Sequence, residues 1–355
     1  MPSIPKTTKA LILQNAAKDE PEYTLGKANS TFALKELELA ELSEGQLLVR
    51  TIYLSNDPAQ RGWIQKDADP ERLYVPPIRE GEVMRSYVVG QVVQSKSSSI
   101  PEGSLVASTG GWREYIVTDD KTARKVDPVP GIPNTVHVGI FGGPGFTAYF
   151  GLVSVLDLKK GESIVVSGAA GAVGNIVVQY AKHVLGASKV IGIVGTNDKA
   201  EWIKSLGADA VVNYKDADFK EKLIAATEGY VDTYFDNVGG EILDLMLARV
   251  KRHGRIAVCG AISSYNGKPT QLNNWFEVIS NRLNIHGFLV LDYLSRAPEA
   301  VAALRKALEE GKLKHETKGE TLVRTKSFEE VPLVWSKLFS GGNIGKLVTQ
   351  VSDDI

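Results

Sequence analysis

Two rhythms of apolar residues divide the chain. Up to about residue 130, short runs such as KALILQ (9–14), GQLLVRTIYL (45–54) and VVGQVVQS (88–95) alternate with Pro, Gly and Ser turns, which predicts a β-rich unit. EGSLVAS (102–108) and GGWREYIV (110–117) predict a hairpin-like pair joined by a Gly-Gly turn. The stretch VDPVPGIPN (126–134), rich in proline, predicts a domain junction.

The second rhythm alternates strand and helix. Strand-like SIVVSG (163–168) precedes a helical GNIVVQYAKHVLG (174–186), then strand SKVIGIVG (188–195) and helix DKAEWIKSLG (198–207). Strand ADAVVNY (208–214), helix DFKEKLIAATEG (218–229), strand VDTYFDNVG (231–239), helix GEILDLMLARVKRHG (240–254) and strand RIAVCGAIS (255–263) follow. Strands separated by helices of this length indicate a parallel sheet with helical crossovers, an α/β fold. Helix PEAVAALRKALEEGKL (298–313) and strand-like TLVRTKS (321–327) and GKLVTQV (345–351) complete the pattern. A chain of 355 residues is long for one core, so two domains are expected.

Charge narrows the partners. A formal net charge of −1 argues against nucleic acid or an anionic membrane, each of which selects a basic face. The early apolar run ALIL (10–13) is too short for a signal or a span, and no later run approaches about 18 apolar residues, so a cytoplasmic protein is expected. The one cysteine, Cys259, permits no intrachain disulfide and no cysteine-clustered metal site. The five histidines, His137, His183, His253, His286 and His315, are scattered, and no metal is expected.

One turn carries chemistry. Gly168, Gly171 and Gly174 lie between a strand and a helix, and AAGAVG (169–174) reads A-x-G-x-x-G, a dinucleotide fingerprint with alanine for its first glycine. Small residues there let the backbone turn tightly and approach a pyrophosphate, with helix-start amides facing the anion. A ligand-free tight turn is the plain alternative, but the surrounding βαβ units favour a dinucleotide. About 20 residues on, an NAD site usually offers an acid to the ribose hydroxyls. Here Gly195 occupies that neighbourhood, Asp198 lies beyond the turn, and Lys199 follows. The missing acid points to NADP; Lys199 is either a partner for a 2′-phosphate or an exposed helix-start lysine.

GGPGFTAYFGL (142–152), SGAAGAVG (167–174), NYKD (213–216), YFDNVGG (234–240), VCGAISSYN (258–266) and GGNIGK (341–346) occur in that order. Together they resemble the zinc-independent medium-chain dehydrogenases/reductases, closest to the NADPH-dependent alkenal/one double-bond reductases and prostaglandin reductases. LSNDPAQRGW (54–63) fits as a variant of their S-x-D-P-x-x-R segment. The resemblance covers nearly the whole chain. It implies a Rossmann-type doubly wound parallel sheet domain (131–313) and a β-rich GroES-like domain (1–130) for substrate and catalysis, to which 314–355 return.

The resemblance also implies a site. Ala169, Ala170, Gly171, Ala172, Val173 and Gly174 would form the pyrophosphate turn, and Lys199 and Tyr214 would meet the 2′-phosphate end. Asn237, just past a strand end, would join the cofactor site; alone it reads as a turn-forming residue before Gly-Gly. Cys259, Gly260, Ala261, Ile262, Ser263, Ser264 and Tyr265, with Phe288, Leu289, Val290 and Asn343, would line the ribose–nicotinamide end. Tyr53 and Tyr87 are expected in the substrate pocket, with Trp63 and Tyr74 adding apolar surface.

Zinc relatives place a catalytic Cys near where Asn56-Asp57 stand, and His-Glu near Ser86-Tyr87; none of these ligands is present. Asp57 and Arg61 read as a structural ion pair or turn, and Cys259, ending an apolar strand, as a small buried hydrophobe. The chemistry would then come from bound NADPH: hydride to the β carbon of an α,β-unsaturated aldehyde or ketone, with charge moving to the carbonyl oxygen. The resemblance assigns that oxygen to Tyr265 and the nicotinamide ribose 2′-hydroxyl; without it Tyr265 reads as an exposed turn residue. A quinone reductase of the same fold and a non-catalytic NADPH-binding protein stand as alternatives, and a homodimer is implied by resemblance.

Overall fold

The computed structural model describes residues 5–266 and 270–354. In the β-rich part, β1 (Thr7–Leu13) pairs antiparallel with β2 (Phe32–Glu38). β3 (Gln46–Ser55) pairs antiparallel with β4 (Tyr87–Ser95), which pairs with β5 (Leu105–Thr109). β6 (Tyr115–Asp119) pairs with β3, whereas β5 pairs with β7 (Arg124–Lys125). The expected β5–β6 hairpin is therefore corrected. Fully buried Trp112 sits between those strands and packs its ring 4.9 Å from Phe32 and 5.7 Å from Trp335, drawing the connection through the core.

The second part is the predicted parallel sheet. Its strands are β8 (Ser163–Val166), β9 (Lys189–Val194), β10 (Ala210–Asn213), β11 (Val231–Asp236), β12 (Val250–Val258) and β13 (Asn284–Gly287). They lie in the order β10-β9-β8-β11-β12-β13, every pairing parallel. That is the doubly wound order, whose direction reverses between β8 and β11. All of β8 is buried, so both sheet faces are covered, which explains its uninterrupted apolar run. The helix expected over 240–254 stops at Leu247. β-branched, buried Val250 instead opens β12 opposite Val231, and the strand absorbs a register shift near His253, which has φ +63°.

β14 (Glu320–Arg324) and β15 (Lys346–Gln350) return to the first sheet, whose order is β14-β15-β3-β4-β5-β7. One compact unit runs through Val138, then takes Leu322–Gly342 and the residues from Leu347 on; the other holds Gly139–Thr321 and Asn343–Lys346. The junction thus falls at 138/139 rather than 130/131, the return begins at 322 rather than 314, and four returning residues pack with the parallel sheet. Each unit has its own core: Trp112, Trp335 and Phe32 are central to one, Ile191, Tyr234 and Leu247 to the other.

Candidate active site

The carboxyl ends of β8 and β11 flank the reversal point, where open α/β sheets gather ligands. Past β8 the chain turns at Gly168 (φ +57°), Ala169 donates its N–H to the Ile193 carbonyl at 3.0 Å, and a helix begins at Gly174. A Cβ on Gly174 would stand 2.3 Å from the Gly168 oxygen and 2.7 Å from the Ala169 Cα, so only glycine allows this approach. No protein acceptor is found for the Val173 amide among the described residues. Small residues and this free amide at the helix start make a cradle that fits a pyrophosphate.

The returning segment 343–346 lies along that turn. Gly345 N–H donates to the Ala170 carbonyl at 2.8 Å, and Gly171 and Gly345 form a parallel bridge. Asn343 Nδ2 donates to the Gly345 carbonyl at 2.9 Å, while Thr321 Oγ1 donates to the Ile344 carbonyl at 2.8 Å. Gly345 has φ +62°, and a Cβ there would stand 1.8 Å from the Gly319 oxygen. Gly345→Ala should therefore lower stability by about 1–3 kcal/mol, read as a reduced urea midpoint. An unchanged midpoint would show that the segment is slack.

At the ends of β9 and β10, the Tyr214 ring covers Gly195: a Cβ on that glycine would stand 2.8 Å from Tyr214 Cε1. No acidic side chain can occupy that spot without displacing the ring, and Asp198 is exposed beyond it. Thr196 Oγ1 caps the next helix, Asn197–Ser205, accepting from Lys199 N–H. Burial holds the Lys199 ammonium below the usual lysine range, and the like charge of Lys215 adds to the effect. Lys215 also lies over the Tyr214 ring at 5.9 Å. Two lysines and an aromatic face make a site suited to a multiply charged anion.

The end of β11 is a polar knot. Buried Asp236 accepts from Ser167 Oγ (2.8 Å), Tyr234 OH (2.7 Å) and the amides of Val238 and Gly239 (both 3.0 Å). Beside it, Asn237 Nδ2 donates to the Ser167 carbonyl at 2.7 Å and its Oδ1 accepts from Cys259 Sγ at 3.1 Å. Both ends of the Asn237 amide thus brace strand ends. Part of Cys259 reaches solvent, yet the atoms packed round its thiol and the nearby Asp236 push its pKa well above the usual thiol value. A protonated thiol is a poor nucleophile.

Beyond Cys259 the chain passes Gly260 and Ala261 into one helical turn, Ile262–Tyr265. Tyr265 is half-buried, and its oxygen accepts from Ala261 N–H at 3.3 Å. Phe288 joins this end through its N–H to the Val258 carbonyl, with its ring edge-on to Phe235 at 6.1 Å. Leu289 is extended, and Val290 opens a 3-10 turn. The expected cofactor residues thus gather along the carboxyl edge of one sheet. Ser167 and Asp236 went unrecognised; an acid ending an otherwise apolar strand was the only sequence signal for the latter.

In the other unit, Tyr53 is corrected as a pocket residue. It is 3% exposed among Ile52, Val89 and Val348, and its hydroxyl donates to Asp354 at 2.8 Å. Tyr87 is exposed, and burial of its hydroxyl, with the Asp57 charge adding, raises its pKa above the usual tyrosine value. Tyr74 accepts from Trp63 Nε1 at 2.9 Å. Arg61 is buried and reaches Gln65 Oε1 at 2.7 Å and the Asp19 carbonyl, while Asp57 accepts from Ser55 Oγ at 2.6 Å. Asn56 Nδ2 donates to Thr349 Oγ1 at 2.9 Å and Ser86 Oγ to the Ser55 carbonyl at 2.7 Å, so both are bound into the fold. Among the described residues no group of three or more His, Cys, Asp or Glu could hold a metal ion, and no helix is long and apolar enough to cross a membrane.

Residues 18–126 match the family described as the N-terminal domain of oxidoreductase, and residues 172–306 match zinc-binding dehydrogenase. The chain is 37% identical over 354 residues to the 2-alkenal reductase (NADP(+)-dependent) of Nicotiana tabacum, covering 98% of each. It is 36% identical over 329 residues to prostaglandin reductase 1 of Bos taurus, covering 91% of this chain and 94% of the relative. The crystal structure of CurA in complex with NADPH from Vibrio vulnificus superposes with a TM-score of 0.86 at 31% identity, covering 98% of this chain and all of that one.

Proposed function

Because the chain belongs to the prostaglandin reductase and 2-alkenal reductase family of zinc-independent medium-chain dehydrogenases/reductases, we propose that it reduces the carbon–carbon double bond of α,β-unsaturated aldehydes and ketones with NADPH. The observation that carries the cofactor is Tyr214 lying over Gly195 beside Lys199 and Lys215, a cationic site where an NAD-specific chain needs an acid. Bound NADPH would supply the hydride that the β carbon of the substrate accepts, and a proton, ultimately from water, must then reach the α carbon to give the saturated product.

This chain's residues do the rest. The Ala169–Gly174 turn holds the pyrophosphate, and Lys199 and Tyr214 hold the 2′-phosphate. The residues Cys259–Tyr265 and Phe288–Val290, with Asn343, bound the ribose–nicotinamide end, and Asn237 braces that end from below. Tyr265 donates its hydroxyl proton in a hydrogen bond to the substrate's carbonyl oxygen as negative charge gathers there. Tyr87 stays a substrate-side candidate. The reaction needs no zinc, because Asn56-Asp57 and Ser86-Tyr87 stand where zinc relatives carry ligands. Exhaustive chelation should leave turnover unchanged; loss to chelator with recovery on adding zinc would overturn this.

We place the enzyme in the cytoplasm as a homodimer. β13 is an outer strand of its sheet, and the adjoining Trp275, Phe276 and Ile279 are exposed, with Phe276 at 70%, a combination that suits edge-to-edge pairing about a two-fold axis. Sedimentation at micromolar concentration should give twice the chain mass, and Phe276→Asp should shift it toward one. A panel of 2-alkenals, cyclic enones, aryl enones and quinones assayed with NADPH tests the reaction. Saturated aldehydes and ketones are the expected products. Turnover of quinones alone, with semiquinone appearing, would overturn the reading.

A further inference from the structure

The role given to Tyr265 depends on how a four-residue turn is held. One helical turn is too short to stabilise itself, and this one carries exposed Ser263 and Ser264. Ser263 bonds it to the sheet: its N–H and its Oγ both donate to the Val238 carbonyl, at 3.2 and 2.7 Å. Val238 is itself fixed, since its own N–H and that of Gly239 donate to the buried Asp236 carboxylate. A carboxylate accepting from Ser167, Tyr234 and two amides at once is a rigid anchor, because each bond is charge-assisted. Gly240 completes the seat: a Cβ there would stand 2.7 Å from Ser263 Oγ. At the near side of the turn, Ser264 Oγ donates to the Ala261 carbonyl at 2.8 Å, and Ala261 N–H donates to the Tyr265 oxygen. A hydroxyl polarised by accepting from an amide donates more strongly in turn.

We propose that Ser263 is a positioning residue: through the Val238 carbonyl, held in place by Asp236, it fixes the turn that sets where the Tyr265 hydroxyl stands. This rests on the reading of Tyr265 as the donor to substrate. Ser263 acts through Tyr265 and donates nothing to the reacting atoms itself.

The test compares Ser263→Ala, Ser263→Thr, Tyr265→Phe and the double variant Ser263→Ala/Tyr265→Phe. Turnover of a 2-alkenal, NADPH dissociation by fluorescence, and amide hydrogen exchange over residues 259–266 are measured in each. Ser263→Ala should lower kcat about three- to tenfold, the range of one net hydrogen bond, and by a larger factor than it weakens NADPH, whose ribose–nicotinamide end this segment also bounds. Ser263→Thr, which keeps the hydroxyl, should restore most of the loss. The double variant should be no slower than Tyr265→Phe, since the two residues act as one unit. Exchange over 259–266 should quicken in Ser263→Ala and stay constant elsewhere. An equal loss from Ser263→Ala in both backgrounds, or a loss confined to NADPH affinity, overturns the proposal. If Tyr265→Phe keeps full kcat, the donor reading falls by itself; exchange then decides the relay, and unchanged protection of 259–266 overturns it.

Discussion

Replacing Lys199 by alanine should weaken NADPH binding about ten- to a hundredfold and leave NADH almost untouched. A hydrogen bond to a charged group contributes about 1.5–3 kcal/mol, and only NADPH carries the 2′-phosphate that Lys199 would meet. The direction of the Lys199 pKa adds a second signature. Burial and Lys215 favour the neutral amine, so in the free protein the charge is lost at lower pH than for an ordinary lysine. With the unfolded chain binding more protons than the folded one in that window, the free protein gains stability as pH rises through it. A bound phosphate does the opposite, favouring the charged lysine. NADPH affinity should therefore fall as pH rises past the lowered lysine value, while NADH affinity stays flat. Titration of both cofactors across the alkaline range checks this; parallel losses for the two would contradict the assignment of Lys199.

Tyr265→Phe should cut kcat on an enone while NADPH dissociation stays nearly constant. Removing one preorganised oxyanion donor costs about 2.7–4 kcal/mol, and other donors at the carbonyl soften the loss toward the lower figure, about a hundredfold. The phenylalanine keeps the ring but loses the oxygen that accepts from Ala261 N–H, so the turn loses one bond at a partly exposed place. Thermal stability should consequently move little, which separates a chemical role from a structural one. Full kcat in the Phe variant on every enone tested would reduce Tyr265 to a turn residue.

What could be read ahead of the structure was whatever leaves a local imprint. The alternation of apolar strands and amphipathic helices from Ser163 onward marked the parallel sheet, and the small residues 169–174 marked an anion cradle on it. Pairings between distant segments leave no such imprint. The Gly-Gly at 110–111 looks like a hairpin, yet Trp112 is drawn into a core shared with Phe32 and Trp335, which lie far away in sequence. The helix expected through Gly254 ended at Leu247 because Val250 had a strand partner in Val231. Tyr53 shows the same limit at the site: its sequence neighbourhood says apolar strand, and only the Asp354 contact shows where its hydroxyl is bound. Asn237 carried a family role on its position alone, but its amide is committed at both ends to Ser167 and Cys259.

The segment 343–346 imposes an order on synthesis. Domains usually fold as they leave the ribosome, the earlier before the later. Here the Ala170 carbonyl waits for Gly345, and β3 waits for β15, which begins at Lys346. A nascent chain grown only to residue 342 therefore holds two unfinished bodies, one missing the closing piece of its anion cradle and the other a sheet partner. Apolar strand edge stays open for most of translation, and completion of both units is triggered by the same short stretch. Stalled chains ending before Gly345 should accordingly be protease-sensitive throughout, with protection arriving in both units together once β15 has emerged.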